Sequence, residues 1–314
     1  MPTAAARRTA LRSQLQIQFC VLLWGFTAIF GKLISLSALA LVWWRMLIVV
    51  ALLALMPRTW RGLRALDGRL IRVYSGIGVL VCLHWLTFYG AIKLSNASIA
   101  ATCLALGPVF LAVVEPLIAG RAFDLRELLL GIAVVPGVAL VVGGIPEDMR
   151  LGALVGAASA LLVAVFGSLN KRYVSHADPL LVTGLELGAG TLFLTLLAPL
   201  LPHAGPVFAL PDLHDALLLL LLSAGCTLLP FSLFLVALRH VSTFSAQLAV
   251  NLEPVYAVLL AMLLLGEQRE LGIAFYAGVV IILSAVFVYP LLLRRRPQTQ
   301  PELLVTAEAK SIAE

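Results

Sequence analysis

The fold of this chain is decided by two stretches that align without gaps at an offset of 146 residues: "FYGAIKLSNASIAATCLALGPVFLAVVEPLIAG" at 88–120 and "FLVALRHVSTFSAQLAVNLEPVYAVLLAMLLLG" at 234–266. Eight positions are identical, and one of them pairs Pro108 with Pro254. The offset is close to half of the chain ahead of its polar C-terminal tail. The sequence therefore predicts an internal repeat that covers almost the whole chain.

The composition indicates a membrane protein. Of the 314 residues, 61% are hydrophobic and 12% are charged, and the mean hydropathy is +1.04, whereas soluble domains are about half apolar and about a quarter charged. The net charge of +6 does not indicate nucleic-acid binding, because the basic residues lie at the ends of apolar segments. The four cysteines lack C-x-x-C spacing, so we expect no metal site and no cofactor.

Ten apolar runs can be drawn, each with the roughly 20 residues that cross a hydrocarbon core of about 30 Å. They cover residues 17–36, 39–56, 71–92, 97–119, 127–144, 151–171, 179–201, 215–238, 243–265 and 271–293. Five segments per half is an odd number, so the second half must enter the membrane in the opposite orientation. The predicted fold is an all-α integral membrane protein with ten transmembrane helices in two inverted five-helix repeats, an arrangement typical of alternating-access carriers.

The positions of Lys and Arg predict the orientation in the membrane. With a cytoplasmic N-terminus, 17 of the 22 basic residues lie inside and 3 lie outside, which predicts cytoplasmic N- and C-termini in the cytoplasmic (inner) membrane. We divide the chain into a cytoplasmic N-terminal segment at 1–16, a first repeat at 17–147, a second, inverted repeat at 148–293 and a disordered cytoplasmic tail at 294–314.

Several motifs resemble one transporter family. They are "LLWGFTAIFGKL" at 22–33, "WWRML" at 43–47, "GPVF" at 107–110 and "LEPVYAVLLAMLLLGE" at 252–267. Over residues 17–293 the chain is similar to the ten-helix EamA type of the drug/metabolite transporter superfamily. The resemblance implies two five-helix halves around a central cavity and export or exchange of small organic metabolites. It also implies that Trp24 faces this cavity.

The chain departs from the family pattern at one position. Halves in this family commonly end their fourth helix with Gly-Glu, and the second half does so at Gly266-Glu267. The first half has Gly120-Arg121 instead. The resemblance therefore implies no matching glutamate in the first half.

Glu253 and Asn251 are the polar pair that stands out within the ninth segment. An ionisable residue inside a span costs roughly 2.5–3.5 kcal/mol and usually faces a cavity or a partner. Pro254 removes a backbone N–H and loosens the helix beside Glu253. We therefore expect Glu253 to bind substrate or carry a proton, or else to cap a kink through a hydrogen bond. The proline recurs in the first half at Pro108, so we expect kinks at both.

The third segment offers three further pathway candidates: His84, which titrates near neutral pH, Trp85, which can stack on a ligand, and Tyr89 one turn later. Each is alternatively a helix-packing residue. Thr227 and Pro230 lie at a similar depth in the eighth segment, and we expect a kink at Pro230.

Three charged residues complete the candidates. We expect Lys32 and Arg45 near the outer ends of their segments, where they either snorkel to the surface or supply positive charge to an anionic substrate. Glu186, in the seventh segment, is the rough inverted counterpart of Arg45 and a candidate inner gate, or else an ion-pair partner for Lys171 or Arg172.

The sequence favours a secondary transporter over other classes of membrane protein. It lacks a Walker motif, so ATP does not drive it directly, and it lacks H-E-x-x-H, G-x-S-x-G and paired aspartates within spans, so we expect no enzyme. A channel would need oligomeric symmetry or a filter, and the sequence indicates neither. The expected partners are a small-molecule substrate, with an amino acid as the best guess, the lipid bilayer and candidate coupling protons. The sequence is compatible with a monomer or a homodimer.

Overall fold

The structure is a computed structural model that describes residues 4–119, 123, 125–173, 176–200, 208, 210–238, 249–250 and 252–293. Two predictions concern residues outside this description, namely Asn251 and the tail at 294–314. Throughout the described part of the chain the secondary structure is helical, without a strand, so the all-α fold class is confirmed.

The described residues of the first half form seven α-helices. Their bounds are α1 (Ala4–Leu33), α2 (Ala38–Ala54), α3 (Pro57–Ala65), α4 (Gly68–Leu94), α5 (Ala97–Leu104), α6 (Gly107–Ala119) and α7 (Leu125–Gly143). In the second half the described α-helices are α8 (Arg150–Tyr173), α9 (Pro179–Leu197), α10 (Leu213–Leu220), α11 (Leu229–Leu238), α12 (Glu253–Leu260) and α13 (Ile273–Leu293). Two π-helical stretches, Leu221–Leu228 and Ala261–Leu265, follow α10 and α12 directly. Short 3₁₀ turns cover Glu147–Met149, Ala198–Leu200 and Glu267–Arg269.

The lengths of these helices suit a membrane. Four described stretches are long and apolar enough to cross alone, and two bent pairs raise this number to six. The four are Leu11–Leu33, Gly68–Leu94, Glu147–Asn170 and Leu180–Leu200. Shorter apolar helices lie where the fifth, eighth, ninth and tenth segments were predicted. The structure supports a multi-pass helical membrane protein, and the count of ten spans stays a prediction.

Helix α3 was treated as a connector from the sequence. It turns by 89° from α2, and Pro57 begins it without requiring a backbone N–H. Two of its side chains satisfy carbonyls at the end of α2: Thr59 donates to Leu53 at 3.1 Å, and Trp60 donates to Ala54 at 2.7 Å. Hydropathy did not predict this helix, because an arginine at every third or fourth residue lowers the mean hydropathy of the region.

The repeat seen in the sequence recurs in the backbone. A helix break lies ahead of each of the two prolines that match between the halves. In the first half the helix bends by 45° and α6 begins at Gly107, one residue before Pro108. In the second half α12 begins at Glu253, one residue before Pro254. Proline fits the first turn of a helix because its missing N–H has no partner there. The two starts differ by 146 residues, the offset of the sequence repeat.

The two halves pack against each other along much of their length. Helix α4 packs on α8 and α9, α7 packs on α13, and α1 packs on α11 and α12. Small residues permit the closest approaches, as expected for helices in lipid. Gly144, for example, accepts a hydrogen bond from the Gly272 backbone at 3.2 Å. The polar candidates therefore lie among helices contributed by both halves.

Candidate functional site

Arg45 lies in the middle of α2, and its predicted position near the outer end was wrong. The side chain of Ser37 caps the helix by accepting a hydrogen bond from the Ala40 N–H at 3.2 Å, which fixes the helix start at Ala38. Arg45 is thus the eighth helical residue, about 10 Å from that end at 1.5 Å per residue. Only 5% of it is exposed, so it does not snorkel.

The guanidinium of Arg45 is held by neutral groups from both halves. Its Nη1 donates to the Tyr89 hydroxyl at 2.7 Å, and its Nη2 donates to Thr227 Oγ1 at 2.9 Å. The cation also lies over the Trp85 ring, with 3.8 Å from Cζ to the ring centroid. Trp85 and Tyr89 can both reach it because residues four apart share one face of α4. We call these four residues the Arg45 cluster.

The π-helical stretch before Pro230 positions Thr227. Within it the Thr227 hydroxyl donates to the Leu222 carbonyl at 2.9 Å, and Ser223 donates to the Arg45 backbone oxygen at 3.4 Å. Short π-helical stretches within α-helices are frequent at functional sites. Pro230 follows at the second position of α11 and lacks the N–H that a regular helix would need there. The structure thus has a change of helix type just before Pro230, and the kink expected there stays a prediction.

Glu253 belongs to the same region as the Arg45 cluster. It is the first residue of α12, and Pro254 is buried in the same helical turn. Its carboxylate interacts electrostatically with Arg45 without forming a salt bridge with it. Among the described residues it has no hydrogen-bond donor, so the structure does not supply the capping partner that was considered as an alternative role.

This arrangement leaves the Arg45 cation available to a ligand. Guanidinium has five N–H donors, and the hydrogen bonds to Tyr89 and Thr227 use one on each nitrogen. Two donors, one on each terminal nitrogen, remain without a partner in the described part of the chain. A carboxylate could accept both in parallel. Because Arg45 and Tyr89 are 5% and 0% exposed, the cluster is closed to solvent in this conformation.

His84 packs against α8 and does not take part in the Arg45 cluster. Its Nδ1 lies 2.8 Å from the Ser159 hydroxyl of α8, and that hydroxyl also donates to the His84 carbonyl at 3.0 Å. The imidazole packs beside Phe166, with ring centroids 5.5 Å apart. Ser159 was not singled out from the sequence, because it lies in the small-residue stretch "GAASA" that indicates only close helix packing.

Trp24 and Lys32 are not brought to the Arg45 cluster. Trp24 is half-buried and packs on Phe234, with ring centroids 5.2 Å apart, beside Tyr256 in a separate apolar cluster. Lys32 is exposed at the last turn of α1, and the location of this helix end on the outer side of the membrane stays a prediction.

Glu186 lies on α9 and is 6% exposed. It accepts a hydrogen bond from Asn170 Nδ2 of α8 at 3.4 Å. Arg172, one of its expected ion-pair partners, instead donates to the Ile118 carbonyl at 2.8 Å. The side chain of Lys171 lies outside the description. Glu186 is therefore a buried carboxylate in a place separate from Glu253.

Asp215 joins the two halves at the predicted outer surface. It is 1% exposed, accepts from the Ser35 backbone at 2.9 Å and accepts from the Ser35 hydroxyl at 2.6 Å. The loop of Ser35 is also held by Lys93, which donates to the Ile34 carbonyl. These contacts fix the connection between α1 and α2 to the start of α10. The sequence placed Asp215 only at a span end, since nothing local indicates a partner 180 residues away.

Glu267 makes a second connection at the same surface. It is 1% exposed, and its two carboxylate oxygens accept from the backbone N–H groups of Ala97 and Ser98 at 2.9 and 2.8 Å. A carboxylate at a helix N-terminus satisfies donors that lack an intrahelical partner. Gly266 aims Glu267 there by ending the preceding helix in the left-handed conformation, φ 71°. The Gly-Glu motif thus caps α5 of the opposite half.

Comparison with known proteins now identifies the family. The sequence model of the EamA-like transporter family matches residues 13–143 and again 150–290. The chain belongs to the EamA-like transporter family. Each EamA match covers one half, in agreement with the repeat, and EamA proteins are membrane transporters of small molecules. Curated proteins give no match to the chain.

A solved structure is similar in fold to this chain. It is described only as the crystal structure of a protein, and it is 18% identical in sequence. The match covers 90% of this chain and 98% of that chain, with a TM-score of 0.60. At that identity the likeness shows the fold alone.

Proposed function

We propose that this EamA protein is a secondary transporter that exports a small organic metabolite across the cytoplasmic membrane by alternating access. The observation that carries the proposal is the Arg45 cluster. A buried cation is held there by Tyr89 of one half and Thr227 of the other, with the Glu253 carboxylate in electrostatic range. Inverted-repeat carriers bind their substrates between the halves near the middle of the membrane.

The two opposite charges favour a zwitterionic substrate such as an amino acid or a related compound. The two remaining N–H donors of Arg45 suit a substrate carboxylate, while Glu253, lacking a donor among the described residues, suits an ammonium group. The Trp85 face beside Arg45 would exclude water from one side of the site. In this assignment Arg45 binds, Tyr89 and Thr227 orient the guanidinium, and Glu253 selects positive charge.

The outer contacts suit the role of an external gate. With the N- and C-termini in the cytoplasm, Ser35–Asp215 and Glu267–α5 both lie on the outside. Each joins one half to the other, so release of substrate to the outside requires both to open. Because interfaces of this kind switch between discrete arrangements, the carrier would alternate between an outside-closed and an outside-open state.

Protons are the proposed coupling ion. An ionised Glu253 attracts the ammonium group of the substrate, and protonation of Glu253 removes that attraction. Binding of substrate and binding of a proton would then oppose one another at Glu253, as exchange of an outgoing solute for an incoming proton requires. Such linkage is reciprocal, so a proton gradient would drive solute movement.

Flux measurements in proteoliposomes test the proposal. Purified protein is reconstituted, and radiolabelled uptake is measured for a panel of amino acids and related metabolites, with and without an imposed pH gradient. We expect saturable flux for at least one zwitterion and acceleration by the gradient. The Glu253→Gln variant should lose the acceleration and bind the zwitterion more weakly, because it lacks the charge that attracts the ammonium group. Glu147→Gln, at an exposed position on the outer surface, is the matched control.

Each part of the proposal can fail separately. Absence of saturable flux for every solute would reject this substrate class, and dissipation of ion gradients at channel rates would contradict a carrier. Gradient-independent flux would reject proton coupling, and normal coupling in Glu253→Gln would remove that residue from it. Reporter fusions at the C-terminus test the orientation, since an external reporter contradicts it.

A further inference from the structure

In the described part of the chain, four buried side-chain polar atoms lack a hydrogen-bond partner: Ser98 Oγ, Asn170 Oδ1, Glu186 Oε1 and Tyr276 OH. Two of the four belong to one pair of neighbouring side chains, Glu186 and Asn170. Glu186 and Asn170 already share one hydrogen bond, from Nδ2 to Oε2 at 3.4 Å. A buried acceptor without a donor is costly, so two within one pair require a physical reason.

The described residues around Glu186 include little that could stabilise a negative charge. On α4 the neighbouring titratable group is Tyr74, whose hydroxyl donates to the Tyr173 carbonyl at 2.6 Å rather than to Glu186. The α4 backbone passes so close at Gly78 that a methyl group there would lie 2.0 Å from the Glu186 carbonyl oxygen. The backbones of α4 and α9 are therefore in direct contact at Gly78 and Glu186.

The described cations on the other helices around Glu186 are engaged elsewhere or exposed. On α2, Arg45 binds Tyr89 and Thr227. On α3, Arg61 and Arg64 are exposed at the surface. On α8, Arg172 is bonded to the Ile118 carbonyl. Among the described side chains, the hydrogen bond from Asn170 is thus the one polar contact that an ionised Glu186 would have.

A single proton would satisfy both atoms that lack a partner. Protonation converts one carboxyl oxygen of Glu186 into a donor, and the Asn170 carbonyl oxygen is an acceptor without a donor. An acid and an amide side by side then exchange two complementary hydrogen bonds, from acid O–H to amide oxygen and from amide N–H to acid oxygen. Burial of the neutral acid also avoids the desolvation of an isolated charge.

We propose that Glu186 and Asn170 form a proton-binding site, distinct from the Arg45 cluster, and that Glu186 is protonated in this conformation at neutral pH. The site goes beyond the proposed export activity, because it requires no particular solute. The bound proton lies in the half of α9 nearer the predicted cytoplasmic surface, at the eighth residue of that helix. Arg45 is likewise the eighth residue of α2, counted from the opposite surface.

Infrared difference spectroscopy of the purified full-length protein tests the site without measuring transport. The carbonyl stretch of a protonated carboxylic acid is recorded from acidic to alkaline pH in the wild type, Glu186→Gln and Asn170→Leu. We expect a buried-acid band at neutral pH in the wild type and its loss in Glu186→Gln. Size-exclusion elution of each variant checks its folding independently of the band.

Two further samples assign the band. Asn170→Leu should move it to higher wavenumber, because the acid loses its hydrogen-bonded amide. Glu253→Gln should retain it, since that carboxylate belongs to the other site. Absence of a protonated-acid band in the wild type at neutral pH would overturn the proposal without any variant. The proposal also fails if the band persists in Glu186→Gln, or if sodium abolishes it at constant pH, which would indicate a metal-cation site.

Discussion

Arg45 of the first half donates two hydrogen bonds to one oxygen of the second half, from Nη2 and Nε to Thr227 Oγ1 at 2.9 and 3.3 Å. A single hydroxyl thus satisfies two donors of a buried cation. The contact depends on the π-helical stretch, which turns Thr227 towards α2. Any movement of one half against the other must change this contact, so it reports directly on the conformation of the carrier.

Removal of the Thr227 hydroxyl should weaken both the fold and solute binding. Thr227→Val keeps the shape of the side chain but leaves two Arg45 donors buried without an acceptor, at a cost of about 1–3 kcal/mol. We expect a lower unfolding temperature in detergent and a higher KM for flux. Thr227→Ser, which keeps the hydroxyl, is the matched control and should resemble the wild type. Equal behaviour of the valine and serine variants would contradict the role of the hydroxyl.

Replacement of Arg45 by lysine should impair binding although the charge is kept. Lysine lacks the planar fork that suits a carboxylate and the flat face that stacks on Trp85. Loss of one charge-assisted hydrogen bond, worth about 1.5–3 kcal/mol, predicts solute affinity lower by about tenfold to a hundredfold. Equilibrium binding of the solute to purified protein measures it. Arg150→Lys, at an exposed ion pair on the outer surface, should change little. An unchanged affinity in Arg45→Lys would exclude bidentate recognition.

Loss of the Glu267 carboxylate should open the outer surface. Glu267→Ala leaves the N–H groups of Ala97 and Ser98 without an acceptor and removes one connection between the halves at this surface. The buried thiol of Cys226, beside Thr227, then becomes accessible from outside. We expect faster labelling by a membrane-impermeant thiol reagent in a variant that retains this cysteine alone.

Two comparisons decide the outcome of that experiment. Glu147→Ala changes an exposed carboxylate on the same surface and should leave labelling slow. Asp215→Asn weakens the other connection and should also accelerate labelling, since Ser35 loses a charged acceptor. Equal labelling of Cys226 in wild type and Glu267→Ala would show that this carboxylate does not hold the outer surface closed.

Close packing at Gly78 should make it intolerant of any side chain. In Gly78→Ala the added carbon would lie 2.0 Å from the Glu186 carbonyl oxygen, so α4 and α9 must separate. We expect a clear fall in the unfolding temperature and a weaker acid band from Glu186. Gly76→Ala, two residues earlier with nothing within 4 Å, should be neutral or slightly stabilising because alanine favours helix. Similar unfolding temperatures for both variants would contradict the close approach.

Much of the fold could be predicted because the membrane imposes simple rules. Apolar runs indicated the helices, and the offset of 146 residues indicated the repeat that the helix starts at Gly107 and Glu253 reproduce. Helix α3 was missed because an amphipathic helix on the surface has no long apolar run. The π-helical stretches were missed because hydropathy does not distinguish one helix type from another.

The candidate site was predicted only in part. The type of a residue indicates the cost of burying its side chain in the membrane, but it does not indicate which residues that side chain will contact. Arg45, Trp85 and Tyr89 were recognised as residues unusual within spans, and two of them share a helix face that spacing alone reveals. Their meeting with Thr227 depends on contacts between halves, which no local pattern encodes. His84 shows the opposite case, since its partner Ser159 is a small residue that the sequence indicates only as packing.

The break before the proline occurs in both halves, whereas the carboxylate beside it occurs in one: α6 begins with Gly107 and α12 with Glu253. One of the two matched helix breaks thus carries an acid and the other does not. A protein with the same residue at both helix breaks would behave alike from either face of the bilayer. This chain has a chemical polarity along the membrane normal, so molecules reconstituted in opposite orientations are two functionally different populations, and flux assays need them sorted by sidedness.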